Sequence, residues 1–452
     1  MDDISFAFIG TAFHAPKRGY IEILENMFIA VGFDGRIKTI SKSDTPECKH
    51  LCDKLLSKKA LHRLKEEQFL LPGFIDLHIH APQWPQLGKA LDKPLYEWLQ
   101  KNTFPLEARY AETAFARAVY EKMVSSLLSN GTTTALYFAT IHNEASLALA
   151  EICIEKGQRA FVGRVAMDNP LQCPDYYRDV SAEAAIDGTR QFIKSVKSLA
   201  GNKDGFVKPV ITPRFIPSCT DPLLDGLGLI ASECGCHIQT HCSESDWEHS
   251  YVIDRLGRSD TEALRDFGLL TRHTILAHSN FLGPSDMDVI KEAGSGIAHC
   301  PLSNAYFSNS VFPLRTALEK GLRVGLGTDI SGGHSPSIFD TCRMAVTSSR
   351  MLEDGVDPSI SQGDRGTQLR RIDFREAFWL ATVGGADVLD IPTGLFAKEN
   401  YFDAIVIDTS VDQSNIDLKN NLDTLDDVFQ KIIHNAGRTN IIQTWVSGRL
   451  IQ

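Results

Sequence analysis

The 452-residue sequence predicts a (β/α)8 barrel of the TIM-like kind, with a small β-sandwich domain built from both chain termini. Two observations predict it. Eight short apolar runs alternate with longer amphipathic stretches through the middle of the chain, and the two ends are rich in strand-forming residues where the middle is not. Strands that alternate with helices imply a parallel sheet, and eight of them imply closure.

The first segment reads as strands: Ile21–Leu24, Met27–Val31, and a further one entered through Phe33-Asp34-Gly35-Arg36-Ile37. Asp34-Gly35 is a hairpin-turn signal. The last segment answers it with Phe402–Asp408, a buried strand, and Trp445–Ile451, part of a final hairpin. The expected division is residues 1–68 with 388–452 for the small domain, and 69–387 for the barrel. The barrel runs are Phe69–His80, Thr132–Thr140, Ala160–Asp168, Lys208–Phe215, His237–Glu244, His273–Asn280, Gly296–Pro301 and Arg323–Ile330. Between them, stretches such as Thr113–Leu128 and Asp221–Glu233 read as helices.

Apolar residues at 43% and charged residues at 23% are ordinary globular usage. A net charge of −11 argues against a surface built to neutralise phosphates, so no nucleic-acid partner is expected. No apolar run approaches a membrane span, and no secretory signal is visible at the N-terminus, so no membrane association is expected. The ten cysteines are scattered without CxxC spacing, which suits free thiols in a reducing, cytoplasmic setting.

Polar residues gather at the ends of the runs. The first ends in His78-Ile79-His80, the fourth in Arg214-Phe215, and the fifth in His241-Cys242-Ser243-Glu244; the sixth carries His278 and the eighth Asp329 near its end. In such a barrel the C-terminal strand ends form the active face, so these residues converge. Residues i and i+2 on a strand share a side, which makes His78 and His80 half of a metal site. An isolated HxH is more often a pair of satisfied histidines. Strand-end His241, His278 and Asp329 shift the balance to a metal. Imidazole and carboxylate ligands suit zinc, with iron(II) as the alternative. Such a site lowers the pKa of water toward ~7, Asp329 can accept its proton, and Glu244 can shuttle a proton over the same site. The glycines of Gly325-Leu326-Gly327-Thr328-Asp329 read as close packing, because the Lys and spacing of a phosphate loop are missing. Gly332-Gly333 reads as a tight turn or close approach to a ligand. His299 reads as structural, and His142 and His334 stay open.

Pro72-Gly73-Phe74-Ile75-Asp76-Leu77-His78-Ile79-His80 resembles the metal motif of the amidohydrolase superfamily. Leu95–Leu99, Asn130–Thr134, Tyr137–His142, Gln158–Gly163, Thr212–Phe215 and Gly325–Asp329 resemble, more narrowly, the guanine deaminases within it. The resemblance implies one Zn2+ per chain held by His78, His80, His241 and Asp329, with His278 beside it. It implies that Gln83, Arg214 and Phe215 hold a guanine ring, with Trp84 expected in the same pocket. It implies hydrolytic attack at C2, proton delivery by Glu244, release of ammonia and xanthine, a role in purine catabolism, and a homodimer. The alternative is a related deaminase acting on another purine or a pterin, 8-oxoguanine for example. A two-metal relative would carry a Lys at the end of the fourth run, but Lys208 stands at its start. A non-catalytic relative would have lost ligands, and the other zinc-deaminase architecture needs a PCxxC that is missing here.

Overall fold

The computed structural model describes residues 3–308, 310–419 and 421–452. Five strands come first: β1 (Ile4–Lys17), β2 (Tyr20–Gly32), β3 (Ile37–Lys42), β4 (Leu61–Arg63) and β5 (Gln68–Pro72). Eight more follow: β6 (Phe74–His80), β7 (Thr132–Phe138), β8 (Arg159–Ala166), β9 (Val207–Pro213), β10 (His237–Cys242), β11 (Thr274–His278), β12 (Gly296–His299) and β13 (Arg323–Leu326). The chain closes with β14 (Ala404–Asp408), β15 (Ile441–Val446) and β16 (Arg449–Leu450).

Strands β6 to β13 pair in sequence order as one parallel sheet, with helices between them. The sheet closes just past β13, where the His80 amide donates to the Ile330 carbonyl and the Asp329 amide to the His78 carbonyl, both at 2.8 Å. The predicted helices appear as Thr113–Ser129 and Asp221–Cys234. The second starts with Pro222 in its first turn and stops at Gly235, which takes the left-handed conformation (φ +58°) that ends helices cheaply. Among the described residues, no helix is long and apolar enough to cross a membrane.

The eight predicted runs coincide with the barrel strands, with one revision. The run Phe69–His80 is two strands: β5 pairs with β14 and β1 in the terminal sheet, and only β6 enters the barrel. The expected boundary at residue 69 therefore falls inside a strand of the terminal sheet. Both halves are apolar and buried, so hydrophobic pattern could not mark where the chain leaves one sheet for the other.

The terminal unit is also one sheet, in the order β16-β15-β14-β5-β1-β2-β3 with β4 beside β1, where a two-sheet sandwich was expected. Long β1 and β2 curl it, with register shifts such as that between Gly10 and Ala12. The curl brings Phe6 to Trp445 (ring centres 4.7 Å apart) and Phe8 to Phe402 (5.5 Å), which makes a sandwich-like interior from a single sheet. The Asp34-Gly35 turn falls where expected. Gly35 has φ +75°, and a Cβ there would lie 2.1 Å from the Ser447 carbonyl oxygen, so only glycine fits. The unit is tied to the barrel by Arg159 at the start of β8, which binds buried Asp403 and donates to Ser447 Oγ at 2.6 Å.

A bulge in β6 positions the site. Between Asp76/Ala135 and Ile79/Tyr137, three residue steps on β6 span two on β7. Ile75 and Leu77 join a cluster with Leu136, Phe161, Val210, Ile275 and Ala298, whose members come from six strands and meet inside the barrel. The extra residue then inverts the alternation, so that His78 and His80 also face inward. Asp76 pins the bulge: it accepts from the Thr328 amide (3.0 Å), the Thr328 hydroxyl (2.5 Å) and the His78 amide (3.2 Å).

Candidate active site

The C-terminal strand ends bring together His78, His80, His241, His278, Glu244 and Asp329, all buried. His80 Nε2 and His241 Nε2 are 2.9 Å apart, and Asp329 Oδ1 lies 3.3 Å from His78 Nε2 and 3.7 Å from His80 Nε2. Bonds of ~2.0–2.2 Å to one tetrahedral ion place its ligands ~3.3–3.6 Å apart, so these separations are already close to a ligand shell. Asp329 Oδ2 and Glu244 Oε1 lie 3.9 and 3.7 Å from His278 Nε2.

Tautomers follow from the outer hydrogen bonds. His241 Nδ1 donates to the Arg214 carbonyl at 2.6 Å, and His278 Nδ1 donates to Asn304 Oδ1 at 3.0 Å. Each Nε2 therefore carries a bare lone pair. The Nε2 atoms of His78 and His278 are buried with no hydrogen-bond partner, a costly state that a bound cation relieves. Burial drives the His78, His80 and His241 pKa values well below the usual histidine range and lowers that of His278, so all four rings are neutral at neutral pH. The donor set fits a metal ion.

The strand ends are bent to achieve this. Ser243 (φ +47°), His278 (φ +67°) and Asp329 (φ +48°) occupy the left-handed region that non-glycine residues rarely adopt. Gly327, expected to allow close packing, does so, since a Cβ there would lie 2.8 Å from His78 Cβ; Gly333, expected in a tight turn or against a ligand, meets backbone, since a Cβ there would lie 2.0 Å from the Thr328 carbonyl oxygen.

A cavity opens over the cluster, lined by His80, Gln83, Arg214, Phe215, His241, Glu244 and Asp329. Leu95, Trp98, Leu99 and Phe307 supply apolar walls. Burial pushes the Glu244 carboxyl well above the usual range, and the Asp329 charge pushes it further. Burial also raises Asp329, to about 6, with His278 opposing the rise. A cation within bonding distance favours the ionised form of Asp329.

Most predicted site residues therefore meet. Trp84 is the exception and is corrected here: it does not line the cavity but packs against the cluster that holds Tyr110, Tyr120 and Met123. It sits in the 3-10 turn Ala81–Gln86, next to Gln83, and the tight turn sends neighbouring side chains in different directions. His142 and His334 do not line the cavity either, and His299 is buried against Phe312.

Glu107 is a site residue that sequence reasoning missed. It is fully buried and binds Arg214 through both carboxylate oxygens, at 2.6 and 3.1 Å. Gln83 Nε2 donates to the same carboxylate at 2.9 Å, while Gln83 Oε1 accepts from the Ser331 amide at 3.2 Å. Glu107 thus fixes both expected substrate-binding polar residues. Its sequence surroundings, Phe104-Pro105-Leu106-Glu107-Ala108, carry no motif that would have marked it. Asn304 and Asn280 were missed too. Asn304 accepts from His278 and donates to Asn280 Oδ1 (2.7 Å), and Asn280 donates to the Glu244 carbonyl (2.9 Å).

Comparison with known proteins agrees with this geometry. Residues 69–451 match the model of the amidohydrolase family. A probable guanine deaminase of Schizosaccharomyces pombe is 40% identical over 98% of this chain and 83% of its own. The guanine deaminase of Dictyostelium discoideum is 38% identical over 98% of each chain. Among solved structures, the guanine deaminase of C. acetobutylicum, with guanine bound in its active site, superposes with a TM-score of 0.87 at 30% identity, over 99% of this chain and 100% of that one. The chain belongs to the amidohydrolase family, among its guanine deaminases.

Proposed function

We propose that the chain hydrolyses guanine to xanthine and ammonia, using one Zn2+ held by His78, His80, His241 and Asp329. The observation that carries this reading is the placement of two carboxylates, Glu244 and Asp329, on one cavity that Gln83, Arg214 and Phe215 also line. When bound, zinc lowers the pKa of water toward ~7 and makes hydroxide available at neutral pH.

The chain's own groups do the rest. Gln83 and Arg214, held rigid by Glu107, hydrogen-bond the carbonyl and ring nitrogens of a purine, and Phe215 offers its face for stacking. Rigid placement lowers the entropic cost of orienting the ring. Asp329 takes the proton that the attacking water gives up. Glu244, buried beside it, delivers its proton to the ring nitrogen next to C2 and recovers one from the added hydroxyl as the C2 carbonyl forms, while the proton on Asp329 passes to the departing amino group, so that water and guanine leave as xanthine and ammonia. His278, oriented by Asn304, holds its Nε2 toward both carboxylates and polarises the water or the substrate.

Family membership also supports a homodimer. Ten free cysteines fit a reducing, cytoplasmic compartment. The test is ammonia release from guanine by metal-replete protein, with adenine, 8-oxoguanine and a pterin alongside and a chelated control. Chelator-sensitive turnover of guanine alone is expected. Turnover of a different base would overturn the substrate assignment and keep the site.

A further inference from the structure

The opposite, N-terminal end of the barrel gathers a second set of metal-binding side chains. His237 opens β10, His273 directly precedes β11, and Asp390 follows the short helix Gly385–Leu389. One donor atom from each lies within 4.8 Å of the others, and the two imidazole rings are 5.1 Å apart. None of the three takes part in the site described above.

Their outer contacts are those of ligands. His237 is buried (7% exposed), and its Nε2 is buried without any partner. A buried ring nitrogen left without a partner is costly, and a bound cation relieves it. His273 Nδ1 also has no hydrogen-bond partner and stands 3.6 Å from Asp390 Oδ2. The other carboxylate oxygen, Oδ1, is held by Arg272 and, at 3.2 Å, by Arg323. A carboxylate anchored through one oxygen keeps the other aimed at the imidazoles. Burial, helped by Lys208 and His273, pushes the His237 pKa down to about 3, so its ring is neutral at neutral pH.

The surrounding charge selects the ion. Lys208 and Arg272 act on both His237 and Asp390. With a single carboxylate in a field of cations, calcium or magnesium, which require several oxygens, gains too little. Zinc gains from nitrogen lone pairs as well as from charge. The site opens on a surface cavity lined also by Cys234 and Cys236, which leaves room for water as a fourth ligand.

We propose that His237, His273 and Asp390 form a second Zn2+ site, structural in role, that ties the starts of β10 and β11 to the end of the helix Gly385–Leu389. Binding there adds stability to the folded chain by linkage. It also means that a total of two ions per chain would not make the catalytic centre dinuclear.

The test uses the whole chain, stripped with chelator, titrated with Zn2+ alone and desalted, with bound metal counted by mass spectrometry. Wild type is expected to hold two equivalents, and H273Q one, with H273Q keeping the wild-type rate of guanine turnover. The second equivalent should raise the wild-type Tm and leave that of H273Q unchanged. His273 has a half-exposed side chain, so the variant tests binding without opening the core; D390N, which also loses an arginine pair, serves as a second probe. One equivalent in wild type, or two in H273Q, would overturn the proposal. The count needs no substrate, so its failure is distinguishable from a failure of the deaminase reading.

Discussion

The two ends of the barrel carry similar side chains in different surroundings. At the C-terminal end, four imidazoles and two carboxylates are buried in one cluster beneath a cavity, and among the described residues no lysine or arginine pairs with either carboxylate. At the N-terminal end, one buried and one half-exposed imidazole meet a carboxylate already held by two arginines. Both ends place an aspartate in the left-handed region. For Asp390 that is the routine conformation of a helix end, whereas Asp329 holds it just past a strand, where the surrounding packing must enforce it. Ligand chemistry alone therefore does not make a catalytic centre. The C-terminal end adds deep burial, a second carboxylate and an apolar wall, and these convert a metal site into a place for chemistry.

Substitutions can break that contrast. Asp329→Asn should have the largest effect, because it weakens a ligand and removes a proton acceptor together. We expect kcat to fall by more than ~10⁴-fold with loss of bound metal, checked by steady-state kinetics and metal counting. Glu244→Gln should slow kcat by ~10²-fold or more while metal stays bound. An unchanged kcat would remove Glu244 from proton transfer.

Glu107→Gln probes the substrate-binding pair Gln83 and Arg214 rather than the metal. It strands the buried Arg214 guanidinium, so the fold should lose ~3–5 kcal/mol and KM for guanine should rise more than kcat falls. Thermal melts and kinetics separate the two effects. Asn304→Ala frees the His278 ring and should cost ~10–100-fold in kcat or metal affinity, the usual range for an outer partner of a metal-site histidine. Trp84→Phe should change KM by less than ~2-fold, because the indole lies outside the cavity; a large rise would return Trp84 to the substrate site.

Much of the site was legible because it follows from position on a repeated unit. His78, His80, His241, His278 and Asp329 each stand at or just past the end of an apolar run, and in a closed parallel barrel those ends share one face. Glu107 was not legible. It lies in the segment between β6 and β7, which has no strand period, and only the folded chain brings it to Arg214, 107 residues away. Trp84 was misplaced for the converse reason: adjacency to Gln83 in sequence says nothing about side-chain direction in a 3-10 turn.

The sequence by itself determined the barrel, the strand-rich termini and the identity of the candidate metal-binding side chains, because hydrophobic period and residue chemistry are local properties of the chain. Tertiary structure alone decided that β5 belongs to the terminal sheet, that this unit is one curled sheet, and that a bulge at Asp76–Ile79 turns His78 and His80 inward after Ile75 and Leu77. Each of these depends on which strand is a neighbour and in what register, and pairing between distant segments is fixed only when the whole sheet closes.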